Sequence, residues 1–152
     1  MIKEKNSNTI FHVDAVASFG KLPMKISEWK ADLVSVSGHK IHAPKGVGAL
    51  YIRDGLKLRS LVDGGSQEFG MRAGTENSIG IVGFGEACKI INEDGLEMGL
   101  EHTKKLYNYL KERVLSEIKD SCINGTELLD NETYTSSPFL INLGFKGVKA
   151  ET

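Results

Sequence analysis

The sequence is poor in the residues that organise several large classes of proteins. Its 152 residues include only two cysteines, three prolines and one tryptophan. Cys88 and Cys122 are too few for a disulfide framework or a zinc cluster, so both are expected to be structural thiols. No apolar run approaches the roughly 20 residues that span a bilayer, and the first residues lack the apolar core of a signal peptide. We therefore expect a cytoplasmic protein without a membrane role.

Neither sign of charge is in excess. The chain has 19 basic and 20 acidic residues, for a formal net charge of -1. The basic residues are scattered and form no stripe, which argues against nucleic acid as a partner. A hydrophobic content of 40% at this length is typical of an ordinary folded domain with its own core.

Glycine, in contrast, is plentiful. There are 17 glycines, and most of them lie between Gly38 and Gly85. The segment Leu61–Asn77 combines several glycines with little periodicity, which predicts a long loop. Long loops in compact domains tend to carry function.

Short β-rich runs and helical patterns alternate along the chain, which predicts an α/β fold. The predicted strands are Thr9–Val13, Asp32–Val36, Val47–Ile52, Cys122–Asn124 and Phe139–Leu143. A first helix is predicted over Ile79–Ile91, and a long amphipathic helix from Leu96 to near Asp120. A polar loop leads up to Ser137, and residues 148–152 resemble the start of a helix.

Two predicted strands end in residues suited to chemistry. Asp14 follows the first, and the run Ser37, Gly38, His39, Lys40 follows the second. Ligands of open α/β sheets collect at the carboxyl ends of strands. Taken one at a time, each residue has an ordinary explanation. Asp14 could cap a turn, His39 could make a loop hydrogen bond, and Lys40 could be a solvated lysine. Together they are the parts that pyridoxal phosphate (PLP) needs: an amine, a carboxylate for its pyridine nitrogen and donors for its phosphate.

Other sites are disfavoured by the pattern. The run Ala43–Gly48 has no Walker spacing, and no dinucleotide-binding glycine pattern opens a helix. His39 and His42 have no carboxylate or cysteine at ligand spacing, so no metal site is predicted.

Five runs of sequence give a specific resemblance. They are His12–Ala15, Gly20–Pro23, Asp32–Lys40, Pro44–Tyr51 and Arg72–Asn77. In order and spacing, these runs resemble the cysteine desulfurases of the class V aminotransferase superfamily, which are PLP-dependent enzymes of fold type I. The resemblance covers nearly the whole chain.

The resemblance assigns a role to each candidate residue. It implies that Lys40 is the catalytic lysine that carries PLP as a Schiff base and that Asp14 is the partner of the pyridine nitrogen. Ser37 and His39 would bind the phosphate, and Thr75 would reach the phosphate of the neighbouring subunit in a homodimer.

The resemblance also implies a domain organisation. Residues 1–94 correspond to the second half of the large PLP-binding domain. Residues 95–152 correspond to a linking helix and the beginning of a small, incomplete α+β domain. The family substrate is L-cysteine, which becomes L-alanine while its sulfur passes to an enzyme persulfide and then to an acceptor protein, for iron-sulfur clusters or thio-cofactors.

The chain departs from the family pattern in two respects. Ala17 occupies the position of a glutamine that hydrogen-bonds the cofactor ring oxygen. The first half of the cofactor domain and the loop with the nucleophilic cysteine are absent, and neither Cys88 nor Cys122 matches that loop. We therefore expect a fragment that is inactive alone and associates as a homodimer or with a complementing chain. The alternatives are a non-catalytic interaction or dimerisation module and another class V aminotransferase.

Overall fold

The computed structural model describes residues 2–125 and 136–149, and the chain divides into two units, Met1–Glu93 and Asp94–Thr152. In chain order the helices and strands are α1 (Ile2–Lys5), β1 (His12–Asp14), α2 (Ile26–Trp29), β2 (Leu33–Ser37), β3 (Gly48–Ile52), α3 (Ser78–Ile90), α4 (Leu96–Glu117), β4 (Ser121–Ile123) and β5 (Leu143–Phe145). The predicted α/β class is confirmed. The polar loop before Ser137 and the helix start at 148–152 lie largely outside the described residues.

A three-stranded sheet organises the first unit, in the order β1-β2-β3. β1 runs parallel to β2, with Asp14 opposite Ser35, and β3 runs antiparallel to β2. The antiparallel direction follows from the connection between β2 and β3, because it holds only a 3-10 turn and a parallel crossover needs a dozen or more residues. All three predicted strands are present, with ends shifted by a few residues.

The two faces of this sheet differ in polarity. The face that carries Val34 is apolar, and Val34, Ala15 and Ala31 form its buried core. Further apolar side chains pack against that core: Phe11, Val13, Met24, Ile26 and Val36. Because side chains alternate along a strand, His12 and Asp14 of β1 share the opposite face with Ser35 and Ser37 of β2. We call it the polar face for these four residues, although Leu33, Leu50 and Ile52 lie on it as well.

A buried carboxylate joins the starts of β1 and β2 to the end of β3. Asp32, which precedes β2, has no solvent exposure. It forms an ion pair with Lys3, accepts a 2.7 Å hydrogen bond from the Phe11 amide and accepts a 2.6 Å hydrogen bond from Arg53 Nε. These donors, Lys3 foremost, hold the pKa of the Asp32 carboxyl well below its ordinary value.

The glycine-rich loop leads into α3. It contains a turn at Gln67–Gly70 in which Glu68 and Phe69 have left-handed backbone angles, with φ of 49° and 57°. Asn77 caps α3, because its side chain accepts a 3.1 Å hydrogen bond from the Gly80 amide. The predicted helix over Ile79–Ile91 is confirmed to within a residue at each end.

The second unit contains α4 and a two-stranded antiparallel sheet of β4 and β5. Leu100 and Tyr107 are the buried residues of α4, which agrees with the predicted apolar stripe. The predicted strand at Phe139–Leu143 was wrong in its position, since β5 begins at Leu143. Phe139 lies in a turn after Pro138, whose fixed φ favours a turn there. The register with β4, Ser121 opposite Phe145, places the strand further along the chain.

No helix in the part of the chain that the structure describes is long and apolar enough to cross a membrane.

Candidate functional site

The polar face of the first sheet leads to the carboxyl ends of β1 and β2. Asp14 is the last residue of β1, and Ser37 is the last residue of β2. Asp14 lies opposite Ser35, and Ser37 follows two residues later on the same face. Standard strand spacings then put the Asp14 and Ser37 backbones roughly 8 Å apart. The sheet therefore places the predicted carboxylate and the predicted phosphate ligand at one edge.

The Asp14 carboxylate has a defined orientation. Its Oδ1 accepts a 3.0 Å hydrogen bond from the backbone amide of Val16, two residues further along the chain. Such a local turn is typical of aspartate after a strand. The structure describes no protein donor to Oδ2, and the side chain is exposed. One carboxylate oxygen is thus held by the chain, and among the described residues the other has no hydrogen-bond donor.

Ser37 and His39 form a pair. The Ser37 Oγ and the His39 Nδ1 share a hydrogen bond of 2.7 Å. A hydroxyl next to an imidazole offers two polar groups to an anion, and the exposed His39 ring can approach a ligand with its other nitrogen.

Lys40 lies on a 3-10 turn whose two ends are buried. Gly38 and Ile41 are buried at the ends of this turn, whereas His39 and Lys40 between them are exposed. The Gly38 amide donates a 2.9 Å hydrogen bond to the Val47 carbonyl, so the turn is tied to the start of β3. Because both ends of the turn are buried, its backbone is held in place, and the exposed side chain of Lys40 extends from this fixed backbone.

Gly38 permits this anchoring because a side chain does not fit there. A Cβ at Gly38 would lie 3.0 Å from Val47 Cγ1 and 3.1 Å from both Ala43 Cβ and the Val47 carbonyl oxygen. We expect Gly38→Ala to lower the free energy of unfolding by about 1–3 kcal/mol, because the backbone must move to admit the methyl group. Urea denaturation would measure the loss.

The matched control for this substitution is Gly85→Ala in α3, where a Cβ would meet nothing within 4 Å. Helix propensity predicts a gain of about 0.5–1 kcal/mol there. Equal effects of the two substitutions would contradict the packing argument for Gly38.

Thr75 is separate from the other candidates in this structure. It is exposed and lies in the loop between Gly74 and the cap of α3. No described contact joins it to Asp14, Ser37, His39 or Lys40. Its predicted role toward a neighbouring subunit therefore stays a prediction.

Sequence reasoning missed two residues that adjoin the candidates. His12 Nε2 and Ser35 Oγ share a 2.7 Å hydrogen bond on the same sheet face as Asp14 and Ser37. The alternation of polar residues in both strands was the available signal, since it predicts that they share a face.

The two cysteines differ in their surroundings. Cys88 is half-buried in α3, and burial raises the pKa of its thiol, which keeps the thiolate fraction low. Cys122 is exposed on β4 in the second unit. No group of three or more potential metal ligands occurs among the residues that the structure describes.

Comparison with known proteins gives a consistent family. The sequence model of the aminotransferase class-V family matches residues 1–152. A cysteine desulfurase from Nostoc sp. (strain PCC 7120) is 43% identical over 149 residues, covering 97% of this chain and 35% of that protein. Cysteine desulfurase IscS from Dictyoglomus turgidum is 38% identical over 156 residues, covering 97% of this chain and 39% of the relative. The chain thus spans about a third of the length of the curated relatives it matches.

Solved structures agree in fold. A NifS-like protein, 42% identical, aligns with a TM-score of 0.73 over 80% of this chain and 33% of its own length. DndA from Streptomyces lividans, 32% identical, aligns with a TM-score of 0.78 over 99% of this chain and 41% of its own. The fold of the chain is therefore a part of the fold of these larger proteins.

Proposed function

Because the chain belongs to the class-V aminotransferase family, we propose that it is part of a PLP-dependent cysteine desulfurase. The proposed reaction converts L-cysteine to L-alanine and leaves the sulfur as a persulfide on the enzyme, from which an acceptor protein takes it for iron-sulfur clusters or thio-cofactors. The observation that carries the proposal is the anchored turn with Lys40 at the carboxyl end of β2, the strand that pairs in parallel with β1, whose last residue is Asp14.

The side chains at the candidate site have the chemistry that PLP requires. Ser37 and His39 would bind the phosphate as a pair: one of them would donate a hydrogen bond to it while the other holds that donor in place through their mutual 2.7 Å contact. The Oδ2 of Asp14 would keep a proton on the pyridine nitrogen. Lys40 would supply the amine that holds the aldehyde carbon. The chemistry that the cofactor supplies when bound is withdrawal of electrons from the substrate Cα.

The proposed domain roles follow the same family. Residues 1–94 would be the second half of the large PLP-binding domain, and residues 95–152 the linking helix and beginning of the small domain. In a homodimer, Thr75 would reach the phosphate bound by the neighbouring subunit. We expect the protein to act in the cytoplasm.

Exposed apolar side chains in the first unit support association with a second chain, either another copy or a complementing chain. The exposed fractions of Leu61, Phe69 and Ile79 are 96%, 95% and 85%. Large exposed apolar side chains of this kind mark surfaces that another polypeptide covers.

Turnover by residues 1–152 alone is not expected, because neither Cys88 nor Cys122 matches the family's loop with the nucleophilic cysteine. The test is incubation of the purified chain with PLP, L-cysteine and a thiol reductant, with alanine and sulfide as readouts. We expect the absorbance band of protein-bound PLP, which borohydride reduces, but no formation of alanine or sulfide. PLP-dependent release of both products would contradict the prediction, and absence of the band would favour the non-catalytic interaction module.

Restoring the family's glutamine at position 17 tests the proposed cofactor site. The residue is exposed in the turn that follows β1, three positions after Asp14, where the family has a glutamine. We expect Ala17→Gln to tighten PLP binding about tenfold or more, because a new hydrogen bond to the polarised ring oxygen forms without displacing a buried group. Titration of the PLP absorbance band would measure the change.

The control for this restoration is Ala17→Leu, which adds similar bulk without an amide. If leucine tightened binding as much as glutamine, the gain would come from burial of apolar surface and the hydrogen-bond explanation would be wrong.

A further inference from the structure

A hydrogen bond joins β1 to β2 through side chains on the polar face of the sheet. His12 Nε2 and Ser35 Oγ are 2.7 Å apart, and the two residues lie on neighbouring strands. His12 is two residues before Asp14, so both side chains project to the same side of β1. The pair is therefore adjacent to the proposed cofactor carboxylate without being one of the groups expected to touch the cofactor.

Ser35 contacts β1 on both sides of Asp14. Its side chain bonds to His12, its backbone carbonyl accepts a 2.9 Å hydrogen bond from the Ala15 amide, and its Cα is the register partner of Asp14. Ser35 of β2 therefore contacts residues before and after Asp14 and lies opposite Asp14 itself. Any shift of β1 along β2 at this point must break the side-chain bond, the backbone bond or both.

The contacts of Ser35 matter because β1 is short. The strand has three residues and therefore few ladder hydrogen bonds of its own. Its start is held by the Phe11 amide on Asp32, and the His12–Ser35 bond adds a contact between that start and Asp14.

We propose that His12 is a positioning residue for Asp14, acting through Ser35. The His12–Ser35 bond holds β1 in register, so that the Val16 amide keeps Asp14 Oδ1 and Oδ2 would be available to the ring nitrogen of PLP. That Asp14 serves PLP rests on the proposed function. That His12 fixes the orientation of Asp14 is independent of the proposed function.

The first arm of the experiment measures that orientation without cofactor. Hydrogen exchange of the Val16 amide reports its bond to Asp14. In the full chain we expect His12→Ala to speed this exchange roughly 3- to 10-fold. His12→Gln should restore slow exchange, because the glutamine amide can take the place of Nε2. His102→Ala, at an exposed histidine of α4, should leave it unchanged. Unchanged exchange in His12→Ala, or equally fast exchange in His12→Gln, would overturn the proposal.

The second arm measures PLP affinity. We expect His12→Ala to weaken PLP binding severalfold in the wild-type background and to have no effect in an Asp14→Ala background, because His12 acts only through that carboxylate. A loss of the same size in both backgrounds would mean a general structural role and would overturn the proposal. If the unmutated chain binds no PLP, the proposed function fails, and the exchange arm still decides whether His12 positions Asp14.

Discussion

Borohydride reduction of the chain after incubation with PLP is expected to attach a pyridoxyl group to Lys40 and to no other lysine in comparable yield. The selectivity has a geometric cause. In the proposed site, Ser37 and His39 would hold the phosphate and Asp14 the ring nitrogen, and the anchored turn would hold the Lys40 backbone close to the aldehyde. Positioning of this kind raises the effective concentration of the amine by several orders of magnitude over that of a solvated lysine. Peptide mapping by mass spectrometry would identify the modified residue.

Lys40→Ala should abolish both the reducible absorbance band and the adduct. The matched control is Lys45→Ala, because Lys45 is an exposed lysine five positions further along the same connection. That variant should keep the band and the adduct on Lys40. Labelling spread evenly over the exposed lysines, or a band that survives in Lys40→Ala, would refute the assignment of Lys40.

Asp32→Asn is expected to destabilise the fold more than Gly38→Ala does. The carboxylate has no solvent exposure and is the shared partner of Lys3, Arg53 and the Phe11 amide. Asparagine keeps the volume but removes the charge, which leaves two cations without their buried counter-ion. We expect the first unit to be partly unfolded at room temperature, as measured by urea denaturation and circular dichroism. Asp63→Asn in the exposed loop should have little effect.

The same carboxylate predicts a difference in acid sensitivity. The pKa of Asp32 is lowered in the folded chain, so its stabilising contribution is present above the pKa of the unfolded state, about 4, and is lost as the pH falls below it. The stability gap between the unmutated chain and Asp32→Asn should therefore narrow as the pH falls below about 4. A gap that stays constant through this range would show that the charge of Asp32 is not what stabilises the fold.

The site was predictable from the sequence to the extent that it is local. Ser37, His39 and Lys40 are neighbours in the chain, and the pattern of a β-rich run followed by a polar turn is enough to group them. Asp14 could be joined to them only on the assumption that its strand ends at the same edge, which the parallel register of β1 and β2 bears out. The direction of Lys40 depends instead on the burial of Gly38 and Ile41, to which Val47 and Ala43 contribute from later in the chain.

Misses in the prediction share a physical cause. His12, Ser35 and Asp32 were not identified as important, because what distinguishes each of them is a partner distant in the sequence. His12 and Ser35 are 23 positions apart, and Asp32 is 21 positions from both Phe11 and Arg53. The misplaced start of β5 has the same origin, since its register comes from β4 across a long stretch of chain.

The sequence by itself determined the alternation of strands and helices, the polar turn that holds Lys40 and the resemblance to cysteine desulfurases, because periodicity, turn residues and motif spacing are properties of neighbouring residues. Only the tertiary structure decided the start of β5, the contacts that Ser35 makes on either side of Asp14 and the buried ion pairs of Asp32. These features depend on which distant groups burial brings within hydrogen-bond distance, and that choice is made by the packing of the whole unit.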